Sequence, residues 1–271
     1  MDHNELKEKI IEQYKKLGFS IDESSKLSKY IRYLDIPNEF FRKQYQLFHA
    51  ELIVSLYEIK KSDSISFDRY IKKLSDAESI DSFWGEKFEV LIHYKLLEIK
   101  RNGLIKNLKR GKDGKEPDLM FEFEDESVGI ELTTLKFRNL LTKPEFVFNK
   151  IIDKLNEKNS KAYANENIAL IIDVTNLEFI QNLVENGALT QLFKNYEQEI
   201  LSKIRTYNFG FILMTENVFK TTQNGKLNKS INPIIGIANE NEKGENIIKF
   251  LRIVFNNFEK DNDRLYHHIL L

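Results

Sequence analysis

Apolar residues recur every three or four positions through the first third of the chain, then alternate or run continuously further on, so a helical part precedes an α/β part. Glu5 to Lys16 sets Leu6, Ile10, Ile11 and Tyr14 among lysines and glutamates, an amphipathic helix ended by Gly18. Asp22 or Ser24 stands where it can cap a second helix, over Ser25 to Leu34, with Leu27, Tyr30, Ile31 and Leu34 on one stripe and Pro37 beyond. Phe40 to Ile59 is a longer amphipathic run carrying Phe41, Tyr45, Phe48, Leu52, Leu56 and Ile59. Ser62 to Ser66 breaks it, and Phe67 to Leu74 predicts a short helix. No fixed repeat length appears, which argues against a helical solenoid.

From about Ile80 to Lys100 another helical pattern leads into RNGLIKNLKRGKDGKEPD, which reads as a loop. Two strand-like runs, DLMFEFE and SVGIELTTL, follow, joined by an acidic turn around Asp125 and Glu126. Pro144 opens a helix that runs to about Asn159, since proline suits the first helical position. Residues 167–174, NIALIIDV, form a continuous apolar run, as a strand buried on both faces would. A helix is expected over Leu177 to Arg205 and a second buried strand over Phe209 to Thr215. With turns at Asn224-Gly225 and Lys243-Gly244, further strands are expected near 233–238 and 247–255. The order predicts an α/β fold, a mixed sheet with helices packed on it, behind an N-terminal helical region that ends near residue 80.

Composition narrows the function. The 271 residues hold 41 Lys+Arg against 42 Asp+Glu, a net charge of -1, so affinity for a polyanion must come from a local patch. With Cys 0 there is no disulfide scaffold, thiolate zinc site or cysteine nucleophile. No signal peptide is visible and no apolar stretch approaches the roughly 18–20 residues that span a bilayer, so a soluble, cytoplasmic protein without a membrane role is expected. Walker loop, GxSxG elbow, HExxH and strand-linked GxGxxG are all missing. His267-His268, beside the C-terminus, reads as an ordinary element end rather than a metal pair.

The chemistry concentrates at the two strand-like runs. Asp118 follows Pro117 at the start of the first, and Glu131 lies in the second. An acidic turn between antiparallel strands brings these two carboxylates together at one end of the sheet, with Ile130 and Leu132 facing the core and Glu131 and Thr133 the other side. Such a pair suits Mg²⁺, with Mn²⁺ as a substitute, and a cation there would act on a phosphodiester.

With Pro117-Asp118, Glu131-Leu132-Thr133 and Gly85-Glu86-Lys87-Phe88-Glu89 on the preceding helix, the chain resembles the PD-(D/E)xK nuclease superfamily over about residues 80–175. That resemblance implies a restriction-endonuclease-like fold of helix, three-stranded meander, helix and further strand. It also implies a metal site of Asp118 and Glu131 joined by the helix glutamate, which falls on Glu89 with Glu86 as its rival. The family pattern ends in lysine, whereas residue 133 is threonine, which offers a hydroxyl but no positive charge. Lys136, Lys150 and Lys154 are the candidates to supply that charge instead.

Around the carboxylates, Lys106, Lys109, Arg110, Lys112 and Lys115 form the densest basic stretch and read either as a phosphate-tracking segment or as a solvated loop. Lys150, Lys154 and Lys158 recur every four residues and face either the site or solvent, with Asp153 and Glu157 favouring solvent. Asp173 either serves the site or caps the next helical segment, and Trp84 and the phenylalanines read as core. The expectation is therefore an Mg²⁺-dependent endonuclease cutting DNA, with RNA open as a substrate, in restriction or phage defence. Residues 1–80 would recognise a target or dimerise, and 81–271 would form the nuclease domain. Glu89, Asp118, Glu131 and Thr133 would make the catalytic set. Cutting both strands of a duplex favours a homodimer. The rival is an inactive nuclease fold that only binds nucleic acid or protein.

Overall fold

The computed structural model describes residues 3–135, 144–174, 196, 198–200, 202–203, 205–221, 227–238 and 244–258. It is a mixed α/β protein with an N-terminal helical region, and it divides into two compact units. One runs up to Arg101 and takes in Val218–Ser230; the other spans Asn102–Asn217 and Ile231–Asn257. The sequence pattern changes near residue 80, but the helix that begins there is counted wholly with the first unit.

The helical unit is built from α1 (His3–Leu17), α2 (Lys26–Arg32), a short 3₁₀ turn (Tyr33–Asp35), α3 (Glu39–Ser62), α4 (Ser64–Ser75) and α5 (Ile80–Arg101). Ser25 caps α2, its side chain accepting from the Ser28 N–H, while Asp22 takes the N–H groups of Ser24 and Ser25 one turn earlier. Asn38 caps α3 and Asp63 caps α4 in the same way. Tyr14, Leu52, Leu56, Ile59, Tyr70 and Phe83 fill the interior. Two histidines are buried with them: the Tyr14 hydroxyl meets His49 Nδ1 at 2.9 Å and the Tyr70 hydroxyl meets His93 Nδ1 at 3.1 Å. Burial drives the His49 imidazole down to about 3, so it is neutral in the folded chain.

Six strands lie in chain order in one sheet: β1 (Lys106–Arg110), β2 (Leu119–Phe123), β3 (Glu126–Thr134), β4 (Ile168–Asp173), β5 (Phe211–Thr221) and β6 (Leu227–Ala238), the second unit holding all of them but the end of β5 and the start of β6. The first three form an antiparallel meander, and β3, β4 and β5 are parallel. The segment read as a loop before Asp118 therefore contains a strand. Its five residues, KNLKR, bury only Leu108 and Arg110, too little alternation to announce a strand at the sheet edge. Glu124 and Asp125, both at positive φ, make the tight turn between β2 and β3.

Helix α6 (Pro144–Asn159) covers one face of the sheet, with Phe148, Ile151, Ile152 and Leu155 against Ile168, Leu170, Ile172, Val174, Ile212 and Met214. Helix α7 (Glu245–Phe258) covers the other, its Phe250 ring centroid 4.6 Å from Phe121 and 5.4 Å from Phe123. The strand expected over 247–255 is thus a correction: Ile247, Phe250, Leu251 and Val254 are the buried set, and their spacing is helical. The helix expected over 177–205 lies largely outside the described residues, as do Lys136, Asn224-Gly225 and His267-His268. Among the described residues no helix is long and apolar enough to cross a membrane.

Candidate functional site

Asp118 immediately precedes β2 and Glu131 lies in β3, across the short β2–β3 turn. The register of that hairpin ends with Leu119 opposite Ile130; carried one residue beyond the start of β2, it brings Asp118 level with Glu131. Two glycines hold the Pro117-Asp118 step in place. A Cβ at Gly111 would overlap the Pro117 carbonyl oxygen, and one at Gly129 would sit 2.7 Å from Pro117 Cγ. The Gly111 N–H donates to the Asp118 carbonyl at 3.0 Å. The Leu132 N–H donates to Asp118 Oδ2 at 2.8 Å, so the backbone of β3 grips the carboxylate from its partner strand.

Glu131 is only 2% exposed, because α6 covers its face. It pairs in register with Leu170, whose side chain belongs to the α6-facing core, so the side expected to be polar and open is covered as well. A carboxylate buried this deeply needs a partner. Lys158, in the last turn of α6, supplies it: its ammonium lies 2.5 Å from Glu131 Oε1 and 3.4 Å from the Leu132 carbonyl. The other carboxylate oxygen, Oε2, is buried and has no well-aligned hydrogen-bond donor among the described residues. The Tyr163 phenol lies beside this group; burial first, then the charge of Glu131, a hydrogen bond to its carboxylate and the charge of Asp118 push it well above the ordinary tyrosine range.

Sequence reasoning missed Tyr163 and left Lys158 open between the site and solvent. Lys158 extends the stripe Ile151, Ile152, Leu155 by three residues, which aims it at the sheet, but its acidic neighbours read as solvent partners. Lys154, by contrast, pairs with Glu157 at 2.7 Å. Thr133 shares the α6 face by alternation, opposite Ile172.

Two expectations change here. Asp173 is 1% exposed and pairs in register with Thr134, which puts it on the sheet face away from Glu131. Arg110, expected in the phosphate-tracking stretch, is withdrawn from solvent instead: its side chain is 1% exposed and its guanidinium is bonded to Asp113 at 3.0 Å. Lys106 faces Asp125 at 3.3 Å. Lys109, Lys112 and Lys115 are exposed and, among the described residues, make no ion pair. Glu89 is buried on α5 in the helical unit, and Glu86 beside it pairs with Lys73 at 3.5 Å. Among the described residues no three histidine or acidic side chains gather closely enough to hold a metal ion.

Among the described residues the geometry thus offers two carboxylates across one hairpin, a buried oxygen on one of them without a well-aligned donor, an ammonium on its other oxygen and three lysines outside any ion pair on the strand and loop leading in. No protein-family model, curated protein or solved structure matches the chain.

Proposed function

We propose that the chain is a divalent-metal-dependent endonuclease of the PD-(D/E)xK type acting on DNA, in restriction or phage defence. The observation that carries this reading is the buried Oε2 of Glu131, across the hairpin from Asp118 and without a well-aligned donor among the described residues, since such an oxygen is costly unless a cation or its water meets it. Asp118 and Glu131 would hold Mg²⁺, or Mn²⁺ in its place. When bound, the ion supplies Lewis acidity toward a phosphodiester and lowers the pKa of water. Lys158 takes the place of the missing motif lysine, bringing a positive charge to the carboxylate pair from a helix instead of from position 133. Thr133, on the same face, offers a hydroxyl to an attacking water. Lys109, Lys112 and Lys115 neutralise backbone phosphates on the way in.

The test is cleavage of supercoiled, linear duplex and single-stranded DNA, and of RNA, with Mg²⁺, Mn²⁺ or chelator, beside folded Asp118→Ala and Glu131→Ala proteins. Metal-dependent cutting lost in both variants supports the reading. A second reading, a nuclease-like module that binds nucleic acid without cutting, is favoured by Thr133 at the lysine position and by the absence of a third close acidic group among the described residues. Salt-dependent DNA binding by wild type, with no cleavage under any metal, would decide for it.

A further inference from the structure

We infer that Lys158 is a built-in counter-ion that holds down the affinity of the Asp118–Glu131 pair for divalent cations; this rests on the metal-site reading above. A cation arriving at Glu131 does not meet a free carboxylate. It meets one already neutralised on Oε1 by an ammonium at 2.5 Å, which the Leu132 carbonyl helps to hold at 3.4 Å. The side chains of both partners are largely withdrawn from water, 14% and 3% exposed, so the like charge of Lys158 is poorly screened from a cation on Oε2. The geometry therefore makes the ammonium and the divalent ion competitors for one carboxylate. Metal occupancy then depends on where the Lys158 side chain sits, and an anionic substrate that attracts the ammonium favours cation binding, each promoting the other by linkage.

Mn²⁺ titration by calorimetry of wild type, Lys158→Met and Lys158→Arg tests this without any cleavage. Lys158→Met is expected to bind Mn²⁺ about tenfold or more tightly than wild type, Lys158→Arg about as wild type does, and Lys158→Met with Glu131→Gln more weakly than either. Because Lys158→Met leaves a buried carboxylate alone, its thermal midpoint is read with and without saturating Mn²⁺, and the rise should exceed that of wild type. Equal or weaker Mn²⁺ binding by Lys158→Met, with no larger rise in midpoint, overturns the inference. The outcome is separable from the nuclease reading. Tighter binding in a protein that never cuts sinks the enzyme and keeps the counter-ion, whereas cutting with unchanged Mn²⁺ affinity does the reverse. No Mn²⁺ binding in any of the proteins sinks both.

Discussion

Removing Lys158 should destabilise the α/β unit, and changing Glu131 as well should cost less than the two separate changes added together. At 2.5 Å and an effective dielectric of about 20, the pair's gross attraction is roughly 7 kcal/mol, most of it offset by the desolvation of the two charges. Breaking a buried pair by deleting one member typically costs about 3–5 kcal/mol, and Lys158 keeps some contact with water, so Lys158→Met should cost about 2–4 kcal/mol. Glu131→Gln with Lys158→Met leaves a neutral amide beside an apolar chain and should cost about 2 kcal/mol less than the sum of the two single changes. The assay is urea unfolding of the four proteins in metal-free buffer. Far-UV circular dichroism is the better signal, because the one tryptophan, Trp84, lies on α5 in the helical unit and its fluorescence reports that unit. A Lys158→Met cost under about 0.5 kcal/mol with no measurable coupling would mean an exposed, water-screened pair of the kind worth little, and would refute the burial argument.

Gly111→Ala should lower stability by about 2–4 kcal/mol through displacement of Pro117 and loss of the Gly111 N–H to Asp118 bond. It should also weaken Mn²⁺ binding; a variant with wild-type melting and metal affinity would show that this close approach does not position Asp118. The helical unit should lose stability in acid because His49 is held neutral. Its folded pKa of about 3 lies below the ordinary 6.5, so its contribution is complete above about pH 6.5 and is lost as pH falls towards 3, amounting to a few kcal/mol. His49→Gln should flatten that part of the pH–stability curve, and an unchanged slope would count against a buried neutral imidazole. Changing Lys109, Lys112 and Lys115 together to Gln should reduce the salt slope of DNA binding by about 2–3, at roughly 0.9 per phosphate, whereas Lys106→Gln should change it least. Equal effects at Lys106 and the other three would mean that ion pairing does not sort them.

Where an element buries one face at a steady period, the sequence shows it. Helix α6 begins at Pro144 and ends at Asn159 as its pattern implies, and β4 is the apolar run that had to be buried on both faces. Reading failed where period and burial parted. Edge strand β1 covers too few side chains to alternate clearly, and α7 carries enough consecutive apolar residues to pass for a strand. For the site, the β2–β3 hairpin between Asp118 and Glu131 was legible because a tight turn fixes antiparallel register, a local matter.

The sequence by itself thus determined the element types with strong periods, the α/β class and the β2–β3 hairpin that carries Glu131, all of which depend on neighbours close along the chain. Only the tertiary structure decided that Glu131 is buried, that Lys158 reaches it from 27 residues away, that Pro117 fits against two glycines and that Arg110 is withdrawn into the fold. The reason is physical. Burial and ion pairing depend on which helix covers which sheet face, and that is settled by packing between segments distant in sequence, where no local pattern records the partner.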